Sequence, residues 1–352
     1  MKFSSLVLAL LSAIAAAPAW AEPLPVRIAF SQVGVDGRQF AGLQTTAIAH
    51  ARGYLEQEFK NDPDIKLEFI FFKGAGPATN EAAANGQIDF YSQGDLPSIV
   101  GRAAGIKSKL LLNVAARQPR YVAVRPESDL RTIGELRGRK VAQHRGTNLT
   151  LSVPKILAAN GLTERDIKFI NMDNATAVAA LATGNIDAAF GTQQLLELER
   201  KGIARIIYST KNDSPTFTSN SAFFVTENFE SRHPEVTYRV VRAIVKAAAW
   251  ASDERNREAV FETWALSGVP AANYRADFEG QTVKNRNSPL IDDFLVNFYK
   301  DQAVAAKNFG YIRRDVDLNG WFEPKYLDRA IKEQKFAGIW DAYDARGAVK
   351  AD

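Results

Sequence analysis

The sequence predicts an α/β fold of two similarly built lobes, each a mainly parallel sheet flanked by helices. Three observations carry that expectation. Strand-like and helix-like stretches alternate from Pro25 onward, the rhythm of a parallel sheet with crossover helices. One pattern, an Ala-rich helix stopped by glycine and followed by an Ile-Asp strand start, occurs twice, about a lobe apart. And 352 residues, 46% of them hydrophobic, suffice for two cores.

Pro25-Val26-Arg27-Ile28-Ala29-Phe30 alternates and reads as the first strand. It ends in the polar, Gly-rich loop Ser31-Gln32-Val33-Gly34-Val35-Asp36-Gly37-Arg38. The near-helical spacing of Ile48, Ala51 and Leu55 predicts a helix over residues 40–59. A turn at Asn61-Asp62-Pro63-Asp64 leads to a second strand over residues 66–71, and Gly74-Ala75-Gly76-Pro77 to a helix over 78–85. Then comes Ile88-Asp89-Phe90-Tyr91-Ser92-Gln93-Gly94-Asp95-Leu96-Pro97. It reads as a strand, a Gly-Asp step, and a proline suited to a first helical turn with Asp95 as N-cap.

The echo pairs Ala82-Ala83-Ala84-Asn85-Gly86-Gln87-Ile88-Asp89 with Ala179-Ala180-Leu181-Ala182-Thr183-Gly184-Asn185-Ile186-Asp187. Both strands run into polar pairs, Ser92-Gln93 and Thr192-Gln193. Two further apolar strands, Tyr121-Val122-Ala123-Val124 and Ala222-Phe223-Phe224-Val225, are expected to carry the chain from lobe to lobe as hinge strands. This divides the chain into a first lobe of residues 22–120 and 221–352 and an inserted second lobe of 121–220. In the insert, Val141-Ala142 delivers Gln143-His144-Arg145-Gly146-Thr147-Asn148 to a helix capped by Thr147 or Asn148. Pro154 requires that this helix kink or begin after Ser152. From Pro234 onward the pattern is helical, and these helices are expected to pack on the first lobe.

Several chemistries are excluded by composition. Cysteine is absent, so disulfides, thiolate metal sites, a cysteine nucleophile and a lipid-anchoring cysteine are all unavailable. The three histidines, His50, His144 and His233, fall in no metal-ligand spacing, and neither a metal nor a cofactor is expected. The net charge of +4 is mild and the Lys and Arg residues form no stripe, which argues against nucleic acid. Lys2, the apolar run over residues 6–17 and Ala19-Trp20-Ala21 read as an export signal cleaved near Ala21, placing the mature chain in the periplasm without a lipid anchor.

The positive indication is a set of polar loops that end strands and start helices. They contain Gln32; Gly74 to Pro77; Gln93, Gly94 and Asp95; Gly146, Thr147 and Asn148; and Thr192 and Gln193. In open parallel sheets ligands bind outside the carboxyl ends of the strands. Helix N-termini and uncharged donors there suit an oxyanion.

Ile88 to Gly105 (I-D-F-Y-S-Q-G-D-L-P-S-I-V-G-R-A-A-G) strongly resembles a segment of the aliphatic sulfonate-binding proteins of ABC importers. L-R-G-R-K-V-A-Q-H-R-G from Leu136 and Gly184-Asn185-Ile186-Asp187-Ala188 resemble the family's later motifs, which taurine and nitrate binders share. The resemblance implies a type II periplasmic binding protein, monomeric, that closes over one small organic anion and hands it to a membrane permease without a chemical step. It implies that Gln93, Gly94 and Asp95 line the cleft from the first lobe and that Gly146 and Thr147 face them. The chain departs from the pattern at Phe190-Gly191-Thr192-Gln193 and in the long loop from Val33 to Arg38, both of which bear on the ligand's organic part. Taurine, nitrate, or an aromatic sulfonate or carboxylate are the alternative ligands. An exported enzyme or a ligand-sensing protein is the alternative of another class.

Overall fold

The computed structural model describes residues 22–147 and 149–350; the expected export signal and Asn148 lie outside the described residues. Ten strands form two five-stranded sheets. The first contains β1 (Leu24–Phe30), β2 (Ile65–Phe71), β3 (Phe90–Gly94), β4 (Ser108–Gln118) and β10 (Ser219–Thr226), in the order β2-β1-β3-β10-β4. The second contains β5 (Tyr121–Val124), β6 (Lys140–Gln143), β7 (Lys168–Asn171), β8 (Ala188–Gly191) and β9 (Arg205–Ser209), in the order β7-β6-β8-β5-β9. The two orders are the same pattern. Each sheet has parallel neighbours at one side and one antiparallel strand, β10 or β5, in the fourth place.

The predicted echo is built as the sequence implies. Helices Ala75–Ala84 and Asn174–Ala182 each end just before a glycine in the left-handed region, Gly86 (φ 66°) and Gly184 (φ 76°). Other expectations need correction. Residues 40–59 are not one helix: Thr45–Ala51 and Tyr54–Phe59 are separated at Gly53, whose φ of 67° cannot continue a helix. Gly94, not Asp95, is the N-cap of helix Asp95–Ala103, because β3 stays extended to Gly94 and the aspartate already has helical geometry. Thr147 does not cap the helix of the second lobe, which runs over Ser152–Ala159 behind Leu151; the other expected cap, Asn148, lies outside the described residues. Pro154 is its third residue, a position whose N–H has no intrahelical partner, so the helix begins late and need not kink.

Each sheet buries both faces. Val26, Ile28 and Phe30 pack with Ile48 and Leu55 and with Val240, Val241 and Ile244 of helix Pro234–Ser252. On the opposite face Ala29, Tyr91 and Phe224 meet Ile99, Trp321 and Phe298 of helix Asp293–Asn308. The second sheet buries Val122, Val141 and Phe190 under Val153 and Ile156, and Ala123, Ala142 and Ala189 under Leu181 and Leu195. No helix of the described residues is long and apolar enough to cross a membrane.

The chain crosses between sheets twice, from Gln118 to Tyr121 and from Ser209 to Ser219. The crossings are tied to each other: the Arg120 N–H donates to Thr210 Oγ1 at 2.9 Å, and the Thr210 N–H donates to the Arg120 carbonyl at 3.0 Å. Both depart from carboxyl ends. Gln118 registers with Ser219 and Ser221 with Gly94 on the first sheet, and Tyr121 registers with Gly191 and Ser209 on the second. The carboxyl ends of the parallel strands therefore face each other across the crossings.

Candidate functional site between the facing strand ends

Polar side chains collect where the two sheets face each other. On the first sheet these are Ser92 and Gln93 at the end of β3, with Ser219, Asn220 and Ser221 at the start of β10; all five are buried. On the second, Gln143 ends β6, and Thr150 lies just before helix Ser152–Ala159. Gln143 and Thr150 are wholly buried. The lobes touch here. Ser152 Oγ donates to the Thr218 carbonyl at 3.4 Å, and Leu151 is buried in the first lobe's apolar cluster with Leu96 and Phe224.

Several of these buried atoms have no hydrogen-bond partner among the described residues. They are Ser92 Oγ, Gln93 Oε1, Thr150 Oγ1, Asn220 Nδ2, and both amide atoms of Gln143. A buried polar group without a partner costs roughly 1–3 kcal/mol, so native proteins seldom keep one without a use. Six such atoms at two facing edges mark a place built to hydrogen-bond something else. Gln143 alone offers a donor and an acceptor.

The backbone is also held in uncommon shapes at this end of the first lobe. Leu43 (φ 63°), Ala75 (φ 52°) and Arg117 (φ 49°) are non-glycine residues in the left-handed region, each next to a strand end or helix start. Such strain costs of order 1–3 kcal/mol per residue and gathers at ligand sites. Gly76 has a packing reason: a Cβ there would collide with Pro97 Cβ. That closeness lets Gln93 Nε2 donate to the Gly76 carbonyl at 3.1 Å and to Asn80 Oδ1 at 3.0 Å.

Charge is buried beside the polar edge. Asp95 and Arg120 are both wholly buried. Burial pushes the Asp95 carboxyl up to about 6 even though the Leu96 N–H, Arg120 and Lys155 all favour its charged form. Burial pushes the Arg120 guanidinium down to about 10, with the Asp95 carboxylate the largest opposing influence. Arg120 donates to the Pro119 carbonyl at 3.0 Å and to Ser219 Oγ, and its Nε has no partner among the described residues. A second group lies beyond the crossing: Tyr121 Oη donates to Asp277 Oδ1 and Arg286 Nη1 pairs with Asp277 Oδ2, both at 2.7 Å.

The expected site residues divide into two sets. Gln93, Gly94, Asp95, Thr192 and Gln193 all sit at carboxyl ends of strands, with Gln93, Asp95 and Gln193 buried. Thr192 Oγ1 bonds to Gln194 Oε1. Gln32 is exposed and donates from Nε2 to the carbonyl of Gly42, at 3.2 Å. Thr147 serves its own turn, its hydroxyl donating to the His144 carbonyl at 2.8 Å and accepting from the Leu149 N–H at 3.3 Å. Gly146 has φ 76°, and a Cβ added to it would meet nothing within 4 Å, so the turn alone requires glycine. The long loop is fastened to the helical region: the Val35 N–H donates to the Ser267 carbonyl at 2.7 Å. Arg120, Thr150 and Asn220 were not singled out from sequence, and Ser92 and Gln143 were noted there only as neighbours of expected site residues. The available signal was a long polar side chain ending an apolar strand, as Gln143 does after Val141-Ala142.

Two α/β lobes with facing strand ends, two crossings and unpaired polar atoms between them define a protein that encloses a ligand. The chain belongs to the NMT1/THI5-like family, whose profile matches residues 44–257. A Bacillus subtilis (strain 168) protein named for binding aliphatic sulfonates is 29% identical over 307 residues, covering 84% of this chain and 87% of that one. The crystal structure of a periplasmic sulfonate-binding protein of an ABC transporter, SsuA from Methylobacillus flagellatus KT, superimposes with a TM-score of 0.82 at 28% identity, covering 92% and 98% of the two chains. A desulfurization enzyme, DSZB, shares the fold at 16% identity, with a TM-score of 0.70 and coverage of 88% and 99%.

Proposed function

We propose that this chain captures a small organic sulfonate between its lobes in the periplasm and delivers it to the membrane permease of an ABC importer. Residues 22–120 with 221–352 form one closing unit and residues 121–220 the other, acting as a monomer. The sulfonate head is held by Gln143 and Thr150 from the second lobe and by Ser92, Gln93 and the start of helix Asp95–Ala103 from the first, with Gly94 allowing close approach. Thr192 and Gln193 face the organic part. The observation that carries this reading is Gln143, a wholly buried amide with neither end hydrogen-bonded among the described residues. The relatives' names supply the sulfonate. Although an enzyme shares the fold, the absence of cysteine removes thiol chemistry from this chain, and binding with closure is the mechanism its residues support.

Calorimetric titration with alkanesulfonates, taurine, nitrate and aromatic sulfonates tests the reading, with the ligand recovered afterwards and checked by mass spectrometry. An alkanesulfonate is expected to bind best and to return unchanged; a converted ligand would mean an enzyme. Gln143→Leu removes hydrogen bonds to a charged group, each worth about 1.5–3 kcal/mol, so affinity should fall roughly ten- to hundredfold. Stability should hold or rise, because the unpaired amide is gone. Wild-type affinity in this variant would place the head group elsewhere.

A further inference from the structure

Asn220 has one end of its side-chain amide engaged and the other without a partner. The Arg117 N–H donates to Asn220 Oδ1 at 3.1 Å. Only the oxygen of the amide can accept, so this bond fixes which end is which and leaves Nδ2, a donor, as what the side chain has to offer. Asn220 is wholly buried, and its Nδ2 has no partner among the described residues. The residue stands between the lobes. Thr218, two positions before it, accepts the bond from Ser152 of the second lobe, and Ser221, the next residue, registers with Gly94 at the start of helix Asp95–Ala103. A buried donor in that place calls for an acceptor from outside the chain.

The bond that orients the amide depends on a distortion of β4. Ser219 registers with Gln118 and Ser221 with Ala115, so β4 uses one residue more than β10 over the same stretch, a β-bulge. In one common form of bulge the residue in the left-handed region is glycine. Here Arg117 takes that shape, with φ 49°, although a Cβ disfavours it. Its N–H leaves the ladder and meets the Asn220 side chain. The side chain of Arg117 is clamped: Cζ lies 3.5 Å from the centre of the Tyr343 ring and 4.8 Å from that of Phe294. Tyr343 is itself fastened, its N–H donating to Asp292 Oδ2 at 3.0 Å and its carbonyl accepting from the Phe294 N–H at 3.4 Å.

We infer that Asn220 Nδ2 donates to the bound oxyanion and that Arg117 is the positioning residue that aims it. The inference rests on the proposed anion-binding function and adds to it a donor from the segment joining the lobes. With the Arg117 N–H on Oδ1, the amide cannot turn its oxygen toward the anion without giving up that bond. The repelling end is turned away before the ligand arrives, which is preorganisation. The clamp on Arg117 holds the strained backbone in place, so Tyr343 near the end of the chain supports a donor at the cleft.

The test is calorimetric titration of the full mature chain with propanesulfonate. Asn220→Ala removes a hydrogen bond to a charged group, so affinity should fall roughly ten- to hundredfold. Asn220→Asp still accepts the Arg117 N–H but offers no donor and adds negative charge, so its loss should be at least as large. Arg117→Gly and Arg117→Val both remove the guanidinium and differ in what φ they tolerate. The glycine variant should bind about tenfold more tightly than the valine variant, because only glycine keeps the bulge without strain. Tyr343→Ala should weaken binding in the wild-type background and leave it unchanged in the Arg117→Gly background, where no clamp is needed. Full affinity in a folded Asn220→Ala protein overturns the inference and leaves the sulfonate reading intact. Equal affinities of the two Arg117 variants, or an equal Tyr343→Ala effect in both backgrounds, overturn the positioning role. Should the Asn220 variants fail to fold, the Arg117 pair decides; should Arg117→Val fail, the two Tyr343→Ala backgrounds decide. Wild type that binds neither propanesulfonate, taurine nor nitrate overturns the anion-binding reading and this inference with it.

Discussion

The two Gly-x-Ile-Asp segments are alike at the amino ends of their strands and unlike at the carboxyl ends. Asp89 and Asp187 each donate a backbone N–H to a carbonyl of the neighbouring strand, Arg27 at 3.0 Å and Lys140 at 2.9 Å. Each carboxylate then accepts the N–H of that same residue, at 3.0 Å and 2.7 Å. At the other end the strands part company. β3 passes straight into a helix capped by Gly94, with Gln93 tied to Gly76 and Asn80. β8 stops at Gly191, and Thr192 and Gln193 come before helix Gln194–Arg200. Repetition marks the part of each lobe that sets strand register. The ligand-facing part begins where the repetition stops.

The copies also differ in how firmly they are clamped. Arg27 forks the Asp89 carboxylate through Nε at 2.9 Å and Nη2 at 2.6 Å, and its Nη1 donates to the Gly86 carbonyl at 2.6 Å. At Asp187 the neighbouring side chain is an exposed lysine, Lys140. Asp89→Ala would strand both the guanidinium and the Arg27 N–H. Breaking a fully buried pair costs 3–5 kcal/mol, but Arg27 is 29% exposed, so about 3 kcal/mol is expected. Asp187→Ala removes one backbone-to-carboxylate bond and should cost about 1–2 kcal/mol. Chemical unfolding of the two variants measures the difference. Equal losses would mean that the arginine fork adds nothing to the first copy.

A second contrast lies at the helix starts, where the first lobe places a buried carboxyl, Asp95, and the second a neutral amide, Gln194. The folded Asp95 carboxyl titrates near 6, above its ordinary value of 3.8. Raised affinity for protons means that the fold gains stability from protonated Asp95. That gain is complete below about pH 4, is lost as pH rises through 6, and amounts to about 3 kcal/mol. Other carboxylates in the protein oppose this trend, so the quantity to measure is wild-type stability minus that of Asp95→Asn, from pH 4 to 8. The difference should slope downward between pH 4 and 6 and be flat above 7. A flat line throughout would mean that water reaches Asp95.

Much of the fold was legible in the sequence because its signals are local. A glycine stopping an Ala-rich helix and an aspartate opening the next strand are chemical requirements met within a few residues. The site was legible only in part. Gln93, Gly94 and Asp95 adjoin the repeated motif and so drew notice. Gln143 and Thr150 gain meaning only when the lobes face each other, and Arg120 reads as the polar start of an apolar strand until its lack of a carboxylate partner is seen. The break at Gly53 was missed because Ile48 and Leu55 fall on one buried face despite belonging to two helices.

The smallest expected effect concerns the two stop glycines. Both lie in the left-handed region, where an added Cβ costs about 1–2 kcal/mol, so Gly86→Ala and Gly184→Ala should each lose about that much. Their surroundings differ. Nothing lies within 4 Å of a Cβ at Gly86, whereas at Gly184 it would collide with Arg125 Nη1. That contact must give way. The obstacle is the tip of a long side chain that is 37% exposed and held by Glu127 at 3.3 Å, so the guanidinium can swing outward at little cost. The two losses should therefore agree to within about 0.5 kcal/mol, with the conformation and not the contact setting both. A Gly184→Ala loss more than about 1 kcal/mol larger would show that Arg125 is fixed in place. The second copy would then have an arginine of its own, supplied by the end of β5 in place of the neighbouring first strand, and the contrast with Arg27 would be one of position alone.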